Sequence, residues 1–306
     1  MGKYLCRRLL TGAFALLALV TITFFLMHAI PGSPFATEPG NLPEGINDDL
    51  AEQYGLYEPI HIRYIKYLGS ALRGDFGKSL SHNGKDVRDI IMSELPYTAS
   101  LGAVAFCIAV FAGLILGTAA AFSRRRWVKG ALSFAASVGV SIPSFLLALF
   151  FMMLFGVALG WLPIVGLTTW RHYIMPGIAL AVPPIAMISR LTKTSLSEVM
   201  GQDYMVLAKS KGTDRMKMIT RHALKNALIP VVTYAGPLLA TLLTGSFVIE
   251  TLFSIPGIGA EFVTSVSDSD YIMIMALIIF QGEFIIIANI LSDLIAAVLD
   301  PRIRLK

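Results

Sequence analysis

The chain has 306 residues, of which 55% are hydrophobic and only 15% charged, and its mean hydropathy is +0.69. A soluble domain carries roughly 25% charged and 45–50% apolar residues, so a water-soluble enzyme, a disordered chain, a disulfide scaffold and a fibre are excluded. A membrane span takes about 20 apolar residues, which points to a multispanning membrane protein, and the net charge of +5 has to be tested against membrane orientation before nucleic acid is considered.

Six apolar blocks follow in chain order. Leu9–Ile30 is the first; it is too long for the core of a signal peptide, and no A-x-A site stands at its end before Pro31, so it reads as a retained span. Leu101–Phe122 follows Pro96. Ala131–Ala158 carries a kink candidate at Pro143. Ile174–Ser189 is the weakest, short and interrupted by Pro176, Pro183 and Pro184. Ala227–Ile249 has Pro230 near its start, and Ile272–Leu299 contains Glu283 and Asp293. Proline is tolerated in spans because neighbouring groups satisfy the freed backbone atoms.

Charge sets the orientation. With the N-terminus inside, the four cytoplasmic segments hold three, four, eight and three basic residues, 18 in all, against seven in the external segments. That bias predicts cytoplasmic N- and C-termini and an all-α fold of six transmembrane helices. It also accounts for the net charge, and no nucleic-acid partner is expected. The division is a first segment and span (1–30), an external region (31–95) and a five-helix core (96–306) carrying a cytoplasmic loop at 190–226. Cys6 and Cys107 are isolated, so neither a disulfide nor a metal site is expected.

Two loops exceed mere connectors. The external one repeats apolar residues at Ile60, Tyr64, Tyr67, Leu68 and Ala71, a helical spacing, and contains the turn-rich Gly74-Asp75-Phe76-Gly77. It reads as a small folded cap. In the cytoplasmic loop, Asp203 reads as an N-cap. Tyr204 to Lys211 follows without Pro or Gly, Lys209 and Lys211 sit in the last turn, and Gly212 is a stop that takes the left-handed conformation. Tyr204, Leu207 and Ala208 share one face. Thr213 reads as a second cap, and Met216, Ile219, Ala223 and Leu224 continue an apolar stripe into the fifth span. So short a helix does not persist alone in water. It packs either on its own spans, as a tether, or on another protein.

These residues carry a family resemblance. Asp203-Tyr204-Met205-Val206-Leu207-Ala208-Lys209-Ser210-Lys211-Gly212, followed by Arg221-His222-Ala223-Leu224-Lys225-Asn226-Ala227-Leu228-Ile229-Pro230, resembles the cytoplasmic loop of ABC importer permeases of the dipeptide/oligopeptide branch. Further motifs match in order along the whole chain. They are Arg7-Arg8-Leu9-Leu10, Ile30-Pro31-Gly32-Ser33-Pro34, Tyr54-Gly55-Leu56, Gly74 to Ser79, Gly160-Trp161-Leu162-Pro163, Glu250 to Gly259, Asp270-Tyr271 and Asp300 to Arg304. The chain departs from the general Glu-Ala-Ala start of the loop, having Val206, Leu207 and Ala208. It also has Ala208-Lys209-Ser210-Lys211-Gly212 where the branch usually has Ala-Arg-Ala-Lys-Gly, keeping small residue, basic residue and glycine.

The resemblance implies a transport subunit, without cofactor, that forms half of a translocation pathway in the bacterial inner membrane. The implied partners are a second homologous permease, two ATPase subunits and an extracytoplasmic solute-binding protein, with the helix at Asp203, Tyr204, Leu207, Ala208, Lys209, Lys211 and Gly212 coupling the ATPases to the spans. Peptides are the implied solute, although similar permeases carry nickel, opines or glutathione. The chain is not expected to hydrolyse ATP itself. A phosphate loop reads G-x-x-x-x-G-K-[ST], and Gly77-Lys78-Ser79 has Leu72 where the first glycine belongs.

Gly113 and Gly117 form G-x-x-x-G, suited to close helix packing. Glu283 either faces a polar pathway or makes a helix–helix hydrogen bond. Asn289 and Asp293, four apart, read as a structural polar pair. The competing function, an ATP-independent transporter or channel, predicts charges in several spans and two similar halves. The halves here are unlike.

Overall fold

The computed structural model describes residues 2–30, 58–214, 217 and 223–299, and the side chains of all of these except 2–5, 208, 209, 225 and 292–299. Much of the external region, the stripe positions Met216 and Ile219, the Asp293 side chain and the C-terminal motif at 300–304 lie outside it. Among the described residues the structure is helical, with no strand and a single isolated bridge between Lys78 and Asp86.

The helices run α1 (Gly2–Ala29), α2 (Ile60–Ala71), α3 (Val87–Phe122), α4 (Arg126–Ser141), α5 (Ser144–Phe151, continued by a π-helical turn Met152–Ala158), α6 (Ile174–Met200), α7 (Asp203–Ser210), α8 (Leu224–Ala227), α9 (Ile229–Leu243), α10 (Phe247–Leu252), α11 (Ile258–Ser267) and α12 (Tyr271–Leu299). Four stretches are long and apolar enough to cross a membrane: Cys6–Ala29, Val87–Phe122, Trp170–Met200 and Tyr271–Leu291. The pair Arg126–Ser141 and Ser144–Ala158, bent by 100°, makes a fifth if it is one span. α9 is apolar and shorter, at 15 residues.

Several blocks differ from their sequence reading, each for a physical reason. α3 begins at Val87, not Leu101, and carries Pro96 within it. At 36 residues it is about 54 Å long, more than the roughly 30 Å of a bilayer core, and hydropathy marks only its apolar part. The boundary set at residue 95 therefore falls inside a helix. α6 is no short weak block; it continues to Met200 through Pro183 and Pro184. Half of its most apolar window is buried inside the protein, and a helix wrapped by protein needs less apolar surface than one facing lipid. α6 therefore includes residues 190–200 of the segment 190–226. The fifth block is broken: α9 ends at Leu243, Gly245 turns the chain at φ +96°, and α10 starts at Phe247. The kink at Pro143 is a bend of 100° between α4 and α5.

α3 against α6 is the most extensive pairing. A Cβ on Gly117 would lie 2.6 Å from the Ser189 carbonyl oxygen, and one on Gly113 2.7 Å from Ile188 Cβ, so the G-x-x-x-G face is where these backbones meet. The main core joins Leu101, Ala105 and Ala109 of α3 with Met175, Ala179 and Ile188 of α6 and Val231, Leu238 and Leu242 of α9. Phe14, Ile22, Phe111, Ile115 and Phe134 are exposed, as lipid-facing surface requires.

The folded cap is present as far as it is described. Tyr64 and Tyr67 of α2 pack on Phe24 of α1. Burial pushes the Tyr67 hydroxyl up and the Arg63 guanidinium down from their ordinary values. The turn at Gly74–Gly77 is closed by Gly77 N–H donating to Asp75 Oδ1 at 3.1 Å. Beyond it, Phe76 and Leu80 pack against a second cluster of Val87, Ile91, Ile258, Ile272 and Met273. Asp270, fully buried, starts α12 by accepting from Met273 N–H at 3.0 Å, and it also accepts from Ser79 Oγ and from Ser81 N–H and Oγ.

Candidate functional site

α7 is the separately capped helix expected from the sequence, with one correction at its start. Asp203 is the first helical residue, not the cap. The carbonyl of Gln202 before it accepts from Met205 N–H at 2.9 Å and Val206 N–H at 3.3 Å. Asp203 still places its carboxylate in the first turn, where negative charge suits the helix dipole. At the other end Lys211 N–H donates to the Leu207 carbonyl at 3.1 Å, and Gly212 follows at φ +74°. That is the left-handed stop only glycine adopts without strain.

What holds α7 is a residue the sequence reading passed over. Met205 is only 2% exposed, in a cluster with Leu196 of α6 and Ala223 and Ala227 at the start of the fifth block. Phe122 at the end of α3, with Val199 and Met200, closes around it. Burying such a side chain is worth roughly 1.5–3 kcal/mol, and it fastens α7 to the ends of two long helices at once. Tyr204 adds a polar tie, its hydroxyl accepting from Asn226 Nδ2 at 3.0 Å.

The expected apolar face looks the other way. Leu207 is 56% exposed, and Tyr204 and Val206 are also exposed. The side chains of Ala208 and Lys209 lie outside the described residues, and Lys211 and Gly212 are exposed. The site is thus a helix anchored by one buried methionine and presenting tyrosine, valine and leucine outward. Glu283 stands apart from it, exposed in the middle of α12. The polar pair expected of Asn289 and Asp293 involves a side chain outside the described residues.

At the opposite end of α3 lies a second polar constellation that the sequence reading missed. Glu250 is 1% exposed. Its Oε2 accepts from Gly259 N–H at 2.8 Å, Ala260 N–H at 3.3 Å and Thr98 Oγ1 at 3.2 Å, and its Oε1 from Ser246 N–H at 3.1 Å. Thr98 Oγ1 in turn accepts from Ile258 N–H at 2.9 Å. One carboxylate thus satisfies the free N–H groups at the start of α11 and of α10 and ties both to α3. Burial pushes its carboxyl up from the usual carboxylate range, and the three backbone donors and Thr98 pull it back. The signal in the sequence is the run Glu250 to Gly259, a motif whose residues alone do not show what the acid does.

Comparison with known proteins identifies the family. The family model described as "Binding-protein-dependent transport system inner membrane component" matches residues 109–305, and the model of its N-terminal region matches residues 1–102. The chain belongs to that family. It is a multi-pass inner-membrane transport component, not an enzyme in its own right. It is 43% identical to the dipeptide transport system permease protein DppB of Bacillus subtilis, over 100% of this chain and 99% of that one. It is 38% identical to the oligopeptide transport system permease protein OppB of Haemophilus influenzae, over 99% and 100%. Among solved structures, an inward-facing form of the MetNI methionine ABC transporter matches with a TM-score of 0.58 at 17% identity, over 69% of this chain and 96% of that one. That likeness bears on the fold, which is that of an ABC importer permease.

Proposed function

We propose that this chain is a permease subunit of an ATP-driven peptide importer, working with a second homologous permease, two ATPase subunits and an extracytoplasmic solute-binding protein. In this reading α7 docks in a cleft of an ATPase, through Tyr204, Leu207 and Ala208, with Asp203, Lys209, Lys211 and Gly212 fixing the helix ends. The observation that carries it is the division of labour on α7. Met205 anchors the helix, while Tyr204, Val206 and Leu207 are left outward. A mere tether has no use for three exposed apolar residues, and a rigid anchored helix transmits a partner's motion to α3 and α6. Peptide as solute is supported by the names and full-length identity of the relatives.

Leu207→Asp tests the docking. The residue is exposed in the free subunit, so the variant should insert and accumulate like the wild type. In a buried contact an unpaired carboxylate costs several kcal/mol, and about 1.4 kcal/mol is tenfold in association. Co-purification of the ATPases should fall at least about tenfold and peptide uptake with it. Wild-type uptake and co-purification would leave α7 a tether.

The same reading has six spans, cytoplasmic termini, and Glu283 facing the pathway between the two permeases, since an exposed carboxylate within a span needs polar surroundings. Single cysteines at Lys85, Ser210 and Glu283, with Cys6 and Cys107 replaced, check this in the assembled transporter. An impermeant thiol reagent should label positions 85 and 210 from opposite sides, and a small water-soluble one should reach position 283. Labelling of 85 and 210 from one side defeats the orientation, and silence at 283 defeats the pathway.

A further inference from the structure

The turn between α3 and α4 carries a charge cluster for which the described residues hold no counter-ion. α3 ends at Phe122 and α4 begins at Arg126, so only Ser123, Arg124 and Arg125 connect them. Ser123 Oγ accepts from Arg125 N–H at 3.3 Å and tightens the turn. Arg124, Arg125, Arg126 and Lys129 are all exposed. Between Glu94 and Glu198 the sequence has no Asp or Glu. All of α4, and nearly all of the two helices it lies between, therefore offers no carboxylate. Among the described residues none of the four basic groups has an ion pair. The fold adds a fifth cation to this edge, with Lys193 Nζ of α6 donating to Ser133 Oγ of α4 at 2.7 Å.

An apolar stripe runs down from the cluster. Trp127 is 69% exposed, and Phe134 and Val138, seven and eleven residues on, are exposed on the same side of α4. A three-residue connection between two membrane helices holds the arginines in the headgroup layer, where an indole also sits best. A soluble partner meets the arginines and cannot follow the stripe into the hydrocarbon, and a second permease is itself basic on its cytoplasmic side. A lipid phosphate with its acyl chains meets both.

We propose that Arg124, Arg125, Arg126 and Lys129, with Trp127, form a binding site for the phosphodiester headgroup of an anionic membrane lipid whose acyl chains lie along Trp127, Phe134 and Val138. Guanidinium forks match phosphate oxygens in pairs.

The test uses the full-length chain in nanodiscs. Trp161→Phe and Trp170→Phe leave Trp127 as the only indole. Its fluorescence is followed in phosphatidylcholine bilayers containing, at equal mole fraction, phosphatidylglycerol or phosphatidylcholine brominated at the upper acyl carbons. Each basic residue at a headgroup layer favours an anionic lipid by up to about five-fold, so brominated phosphatidylglycerol should quench Trp127 about two-fold more or better. Raising the salt on this same protein should shrink the difference, because exposed charges are screened. In R124Q/R125Q/R126Q the two lipids should quench alike. Equal quenching in the parent, or a preference that survives both salt and the triple substitution, overturns the proposal. So does a triple variant that keeps the lipid preference and, in the assembled transporter, sheds its ATPase subunits, which would make the cluster a protein-docking surface.

Discussion

Met205→Asp should abolish peptide uptake and loosen α7 even before any ATPase is present. The side chain removed contributes roughly 1.5–3 kcal/mol by burial, and the carboxylate put in its place is buried unpaired among Leu196, Ala223 and Ala227, at a further cost of several kcal/mol. α7 has eight residues, far below the length at which a helix holds itself together in water, so it has no reserve against that loss. Trypsin should then cut the solubilised permease after Lys211 much faster than wild type. Met205→Leu, nearly volume-conserving, should cost less than about 1.5 kcal/mol and keep both protection and transport. The contrast with Leu207→Asp is the informative part. That variant should keep α7 protected in the isolated permease and fail only when the ATPases are added. If Met205→Asp leaves protection and uptake unchanged, the helix is held by something other than its methionine.

The sequence made the spans legible where they face lipid and misjudged them where they face protein. α1 and α12 stand close to their apolar blocks because lipid demands an unbroken hydrophobic surface. α6 was undervalued because its neighbours supply its surroundings, so hydropathy fell while the helix lengthened. α7 was legible through its glycine stop and its lack of Pro and Gly, both local signals. Its anchor was not. Met205 looks like any apolar residue until Leu196 and Ala227 arrive from other elements. The buried carboxylates were hidden for the same reason. Ser79 and Asp270 lie 191 positions apart, and Thr98 and Glu250 152 apart, so no periodicity links them. Motif matching flagged both regions and left the acid's task open, which only the arrangement of N–H groups around it decides.

Glu250→Ala should be the most destabilising single change outside the helix cores. It removes the acceptor for Ser246, Gly259 and Ala260 N–H and for Thr98 Oγ1. A buried donor left without a partner costs about 1–3 kcal/mol. Gly245 and Gly257 pack so closely on the carboxylate that a Cβ on either would lie 2.7 and 2.4 Å from its oxygens. The segment from Gly245 to Asp270 should lose its hold on α3, with a drop in melting temperature and in the yield of monodisperse protein. Glu250→Gln keeps one full acceptor and turns an amide N–H₂ toward backbone donors, so it should fall between wild type and alanine. Thr98→Val, matched in shape, should lose less than alanine at 250. It strands the Ile258 N–H alone, while Gly259, Ala260 and Ser246 keep their carboxylate. The order wild type, Thr98→Val, Glu250→Gln, Glu250→Ala, read by thermal unfolding of the solubilised chain, follows from counting stranded donors. A Glu250→Ala protein as stable as wild type would mean that this segment is held by its apolar contacts with α3 and α12, and that the carboxylate is incidental to it.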